Sequence, residues 1–379
     1  MQMSGYFDNA ATTVMSEAAM DTYLRVSRTY WANPSSSHQG GKRAAAFLTE
    51  QRERAASLLG VDAKHIIFTG GATQSNDIIL SSLLWRIRPQ HYIASGAEHS
   101  SVLQWQGLLS HAGWRATLLD APGGFVDPQS VGLALEMQTR LVSVMLVNNT
   151  LGTIQDVGAM VSVVRQYEKE QKSQPIHVHC DATQALGKIS FDLRDLGVDS
   201  ASFSAHKLHG PRGIGILYNT NQTIQSLSRG GGQEGGLRAG TEDLASIAAM
   251  VTAMEEAQST VEKNLAHVTT LNERMRQLLD GPTILTPSAN SSPYILTIAL
   301  PPLPSEVAER MLDDLGFAVS AGSACSHNAR QKGAKVHNAL RLDPALSQSS
   351  IRISFSCDTS LKACEELASA INTLYRNHQ

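Results

Sequence analysis

From about residue 65 to residue 260, short apolar runs alternate with longer amphipathic segments, and this alternation restricts the fold more than any other feature of the chain. The apolar runs predict strands over 65–69, 92–95, 141–147, 176–180, 201–204 and 213–218. The amphipathic stretches predict helices over 40–59, 73–85, 100–112, 157–171 and 242–258. Strands separated by helices pair mainly in parallel, with helices covering both faces of the sheet. In such α/β sheets ligands gather where the carboxyl ends of strands meet helix N-termini, so the loops there carry the chemistry.

Beyond residue 260 the pattern changes. A helical stretch over 261–279 leads into Pro-rich loops at 286–293 and 301–304, strands over 294–299 and 351–355, and a helix over 305–315. At 379 residues the chain exceeds one ordinary core. The expected division is a large domain over 12–260 and a smaller α+β domain built from 1–11 and 261–379. A net charge of −3 argues against nucleic acid as a partner. The longest apolar run, 141–147, is too short to cross a bilayer, so no membrane association is expected. Residues 1–5 lack the basic and apolar regions of a secretory signal. Four cysteines do not make a disulfide framework, and a reducing cytoplasm is the expected compartment.

Five loops stand out. In the first, Thr69-Gly70-Gly71-Ala72-Thr73 runs from a strand into a helix. It reads either as a phosphate cup, with glycines admitting an anion to free helix amides, or as a plain turn with Thr73 as N-cap. The second holds His177, His179, Cys180 and Asp181. Strand alternation sends Cys180 to the opposite face, which weakens a metal site and favours Asp181 meeting a cationic ring. In the third, Lys207 follows an apolar strand and precedes a Gly/Pro turn. It reads as a Schiff-base amine if buried, or as an ordinary surface lysine. The fourth, 229–241, contains Gly230, Gly232 and Gly235 in a dinucleotide-like spacing. It lacks the strand-to-helix context, so a loop contacting a ligand or a neighbouring subunit fits better. The fifth places Cys325 among small residues ahead of Arg330, Lys332, Lys335 and Arg341. This is a setting for a thiolate or for a quiet loop cysteine.

Together the loops supply an amine, a carboxylate and an anion cup, the parts that pyridoxal 5'-phosphate (PLP) requires. No metal is expected. The motifs Asp8-Asn9-Ala10-Ala11-Thr12-Thr13, Gly71-Ala72-Thr73, Glu98-His99, Asn148-Asn149, Asp181-Ala182-Thr183-Gln184, Ser204-Ala205-His206-Lys207, Gly322-Ser323-Ala324-Cys325 and Ser350-Ile351-Arg352 then resemble the NifS/IscS-type cysteine desulfurases. These belong to the class V aminotransferase group of fold-type-I PLP enzymes.

The resemblance implies conversion of L-cysteine to L-alanine, with sulfur passing to Cys325 as a persulfide for a scaffold or thiolation protein. It implies that Lys207 tethers PLP and moves protons, that Asp181 pairs with the ring nitrogen, and that His99 stacks on the ring as acid or base. Ala72, Thr73, Ser204 and His206 would bind phosphate, joined by Thr241 from the second subunit of a homodimer. Gln184 and Asn149 would lie near the ring hydroxyl and substrate, and Arg352 would clamp the substrate carboxylate. Thr150 stands where many relatives carry glutamate, and Cys180 replaces a commoner aliphatic residue. The long stretch from Cys325 to about Leu340 resembles the branch that hands sulfur directly to scaffold or tRNA-modifying proteins. Another class V activity, such as an aminotransferase or selenocysteine lyase, is the competing enzyme reading, a docking platform for sulfur acceptors is the reading from a different class, and a simple metal-binding protein is a distant third.

Overall fold

The computed structural model describes residues 5–322 and 338–378. Its main sheet has seven strands: β1 (Ile66–Thr69), β2 (His91–Ser95), β3 (Arg115–Leu119), β4 (Thr139–Met145), β5 (His177–Asp181), β6 (Ser200–Ser204) and β7 (Gly215–Asn219). They lie in the order β1-β7-β6-β5-β4-β2-β3. The run from β3 to β6 is parallel, and β7 is antiparallel to both β6 and β1. The mainly parallel sheet expected from the alternation is therefore present. Every strand but β3 is buried along its whole length, as helix-covered strands must be. Partly exposed β3 at the sheet edge has no long apolar run, which is why its sequence does not predict a strand.

The helices that cover this sheet or flank it are α1 (Glu17–Thr29), α2 (Gln39–Leu59), α3 (Ala72–Ser81), α4 (Ser100–Leu103), α5 (Trp105–His111), α6 (Pro128–Ala134), α7 (Val157–Gln171), α8 (Leu193–Leu196) and α9 (Leu244–Leu278). The expected pair over 242–258 and 261–279 is one 35-residue helix, α9, roughly 50 Å long. Nothing between the two halves breaks it, since Ser259-Thr260-Val261 holds neither glycine nor proline. Its N-terminal half buries Ile247, Met250 and Met254 in the core of the main sheet. Its C-terminal half buries Val268, Leu271 and Met275 in a second core.

That second core lies against an antiparallel sheet of β8 (Thr283–Ile284), β9 (Ile295–Ala299), β10 (Ser320–Ala321) and β11 (Ser350–Ser354), in the order β10-β11-β9-β8. Helix α10 (Ser305–Asp314) and the helix Leu361–Arg376 complete it. The N-terminal segment belongs spatially here. Tyr6 bridges to Ala318, Asp8 bridges to Ser354, and the Phe7 ring meets Phe355 edge-on at 6.0 Å. From this anchorage the chain passes through Ala10 and Ala11 into the cleft that both sheets border.

Candidate active site

The cleft opens at the carboxyl ends of β1, β5 and β6. At the first, Gly71 adopts φ 126° and serves as N-cap of α3 without any side-chain cap, so the first-turn amides of the helix remain for an anion. Thr73 lies inside this first turn and is not the N-cap. The sequence allows so close a turn because Gly215 passes behind it. A Cβ at Gly215 would overlap the Phe203 carbonyl and the Gly71 backbone. Gly70, Gly71, Ala72 and Thr73 line the cleft together with Ser204 and His206. Burial, and after it the positive Lys207, Lys188 and Arg212, press the His206 pKa down to about 4. The ring is neutral near pH 7, with Nδ1 3.2 Å from Thr12 Oγ1.

Asp181 ends β5 and enters the cleft with one oxygen taking the Thr183 amide (3.0 Å) and the other the Asn76 amide group (2.9 Å). Behind it runs a buried line of polar contacts in which one proton assignment satisfies every member. Asn221 donates to His177 Nδ1 (3.2 Å), His177 Nε2 to Ser200 Oγ (2.7 Å), and Ser200 Oγ to His179 Nδ1 (2.7 Å). His179 Nε2 then donates to Asn76 Oδ1 (2.9 Å). The two Asn76 N–H groups diverge, one to Asp181 and one to Ser101 Oγ (2.8 Å). Ser101 donates through both its hydroxyl (2.9 Å) and its amide (3.2 Å) to His99 Nδ1. Burial holds the His177 pKa down at about 4 and that of His179 at about 3, so both rings act as neutral relays. The nitrogens that suggested metal ligands are engaged in this line.

His99 lies on the cleft wall with its pKa lowered, first by burial and then by Lys207 and Arg352, against the opposing pull of Asp181. With Nδ1 accepting, the neutral ring keeps its proton on Nε2. Glu98 beside it is buried, and burial followed by repulsion from Asp181 raises its pKa well above the carboxylate range. Glu98 accepts the Met145 amide through Oε1, while Asp181 faces the cleft from the end of β5.

Lys207 follows β6 and lines the cleft, its Nζ donating to the carbonyls of Ala10 and Ala11, each at 2.6 Å. Ala10 O also accepts from Gln184 Nε2 (2.9 Å), which places Gln184 next to the amine. Arg352, 5% exposed on β11, reaches the same cleft from the second sheet. It donates to Asn149 O (2.8 Å), Asp8 Oδ1 (3.0 Å) and Ser320 Oγ (3.0 Å), while its buried Nε finds no partner among the described residues. Asn149 lines the same wall.

The structure thus gathers Ala72, Thr73, His99, Asn149, Asp181, Gln184, Ser204, His206, Lys207 and Arg352 around one cleft. Thr241 is elsewhere in the chain, exposed beside Asn33 Nδ2 at 3.5 Å. Cys325 lies outside the described residues. The supporting residues Asn76, Ser101, His179 and Ser200 escape a motif reading, because their importance arises from contacts across the sheet. An uncapped helix start, a lysine amine and a buttressed carboxylate around one cleft are the donor set that PLP needs, so the residues present fit that cofactor.

The family model described as Aminotransferase class-V matches residues 5–367. A Lactobacillus delbrueckii subsp. bulgaricus protein named NifS/IcsS protein homolog is 37% identical, over 98% of this chain and 97% of its own length. The protein named cysteine desulfurase IscS of Dictyoglomus turgidum is 32% identical, over 95% of this chain and 91% of its own. A solved structure titled NifS-like protein superposes with a TM-score of 0.90 at 32% identity, covering 98% of this chain and 99% of that one. With that match, those relatives and this cleft, the chain belongs to the PLP-dependent aminotransferase class-V family and, within it, to the NifS/IscS type.

Proposed function

We propose that this protein is a PLP-dependent cysteine desulfurase that converts L-cysteine to L-alanine and passes the sulfur to its own Cys325. The observation that carries the reading is the meeting of Lys207, buttressed Asp181 and the uncapped start of α3 around one cleft that Arg352 closes from the second sheet. When bound, PLP supplies a cationic, electron-withdrawing ring that stabilises negative charge on the amino acid. Lys207 is the residue that would tether it, with Asp181 holding the ring nitrogen protonated. The α3 amides, Thr73, Ser204 and His206 would receive the phosphate, and Gln184 the ring hydroxyl.

On the substrate side, Arg352 and Asn149 orient the amino acid through its carboxylate. Lys207 takes the Cα proton. His99 can offer or hold a proton at Nε2, because Ser101 keeps Nδ1 as the acceptor. Cysteine plus the Cys325 thiol becomes alanine plus a Cys325 persulfide: the substrate C–S bond breaks, an S–S bond forms, and carbon regains a proton. The persulfide is then passed to an acceptor protein, an iron–sulfur scaffold or a thiolation protein.

We further assign the protein to a cytoplasmic homodimer, in which Thr241 of the partner subunit completes the phosphate site. Its exposure away from the cleft of its own chain supports this. Among the described residues no helix is long and apolar enough to cross a membrane. Residues 12–260 are taken as the PLP-binding domain, and 1–11 with 261–379 as the smaller one. The test is incubation with PLP, L-cysteine and a thiol reductant. Sulfide and alanine should appear in equal amounts, and Cys325→Ser should retain the yellow cofactor while sulfide release stops. Alanine without sulfide, or undiminished release from Cys325→Ser, overturns the reading.

A further inference from the structure

Lys188 has no part in the roles assigned above, yet it is only 6% exposed. A buried ammonium is costly unless an anion compensates it. Here burial comes first and the positive charges of Lys207 and Arg352 add to it, together pressing the Lys188 pKa down to about 7. Among the described residues its one hydrogen-bond acceptor is Gln184 Oε1, at 2.8 Å, and its nearest aromatic face is Tyr294, 5.9 Å from Nζ. Lys188 is thus held four residues beyond a cleft residue, on a neutral carboxamide and, among the described residues, without an ion pair.

The chemistry of that contact sets the orientation of the carboxamide. Lys188 donates to the Gln184 oxygen and the Ala10 carbonyl can only accept, so the Gln184 oxygen faces Lys188 and the NH2 group faces away. One N–H of that group reaches Ala10 O (2.9 Å), the carbonyl that also takes Lys207 Nζ (2.6 Å). Gln184 itself lines the cleft. Lys188, Gln184, Ala10 and Lys207 therefore form one connected line. We propose that Lys188 is a positioning residue, fixing Gln184 so that it offers the cleft a donor and never its carbonyl, which commits that position to an oxygen acceptor. On the PLP reading above, on which this inference rests, that acceptor is the ring oxygen beside the Lys207 linkage.

A donor at the ring oxygen favours its anionic form and so lowers the proton affinity of the nitrogen next to it. The test is the pH titration of the visible absorbance of the yellow holoenzyme. Lys188→Met keeps the stem and removes the donor, and should raise the midpoint by about one pH unit. Gln184→Leu should do the same, and the double variant should shift by clearly less than the sum, since one residue acts through the other. Gln184→Glu gives Lys188 a carboxylate and takes the donor from the cleft, so it too should raise the midpoint. This keeps the test available if Lys188→Met does not accumulate. A midpoint unmoved in Lys188→Met or in Gln184→Glu, or strictly additive shifts, overturns the inference while the cofactor reading stands. A wild-type protein that stays colourless with PLP removes the cofactor reading and this inference with it.

Discussion

Strands β5 and β11 each deliver one charged side chain to the same cleft, and they support it in opposite ways. On β5, the polar atoms behind Asp181 pair in one continuous line from Asn221 to His99, so the carboxylate is held before anything binds. On β11, Arg352 is held by Asp8, Ser320 and the Asn149 carbonyl but keeps a buried Nε–H without a partner among the described residues. A carboxylate held by its own network suits a resident group that must not shift. A guanidinium lining the cleft from the second sheet suits a carboxylate that arrives and leaves, since its planar fork can grip one through paired hydrogen bonds.

The largest effect should come from the fixed side. Lys207→Ala should abolish the covalent cofactor linkage, so that borohydride no longer traps PLP on the protein; trapping that survives places the tether elsewhere. Next, Asn76→Leu strips Asp181, His179 and Ser101 of a common partner and should cost on the order of 3 kcal/mol in unfolding free energy, with weakened PLP retention. A variant that lost cysteine affinity but held PLP normally would break the comparison.

Arg352→Ala should act on the exchanging side, weakening cysteine binding by about 1.5–3 kcal/mol while PLP stays bound. Loss of cofactor instead would move Arg352 to the fixed wall. The smallest effect concerns pH. His177 has an ordinary pKa of 6.5 when unfolded and about 4 when folded, so below 6.5 the unfolded chain takes up the proton first. Its contribution is complete above pH 6.5 and drains away as the pH falls toward 4, by on the order of 2 kcal/mol. Denaturant melts at pH 7 and pH 4.5 should show His177→Gln flattening that decline; an unchanged slope removes His177 from the account.

Strand and helix order in the main sheet is legible in the sequence, because fully buried strands have to be apolar and their covering helices amphipathic. The expected helix over 157–171 coincides with α7, the one over 100–112 divides into α4 and α5, and the other expected elements shift by a few residues, while α1, α6 and the helix Leu361–Arg376 are not among those expected. Edge strand β3 and the continuity of α9 are not legible. One has a half-exposed face without a clean period, and the other joins two buried stripes that serve different cores. In the site, Lys207 and Asp181 are visible because they end apolar runs, whereas Asn76 looks like any polar residue in a helix until His179, Asp181 and Ser101 converge on it.

The order of residues alone decides the sheet type, the glycine turn into α3 and the choice of amine and carboxylate, since these depend on local periodicity and on what a side chain can donate or accept. Only the tertiary structure decides which of those groups share a cleft, which histidine nitrogen carries its proton, and that Lys188 must turn the Gln184 carboxamide. Those properties depend on burial and on partners far away in the chain, where removal from water makes each unmatched donor costly enough to select one arrangement.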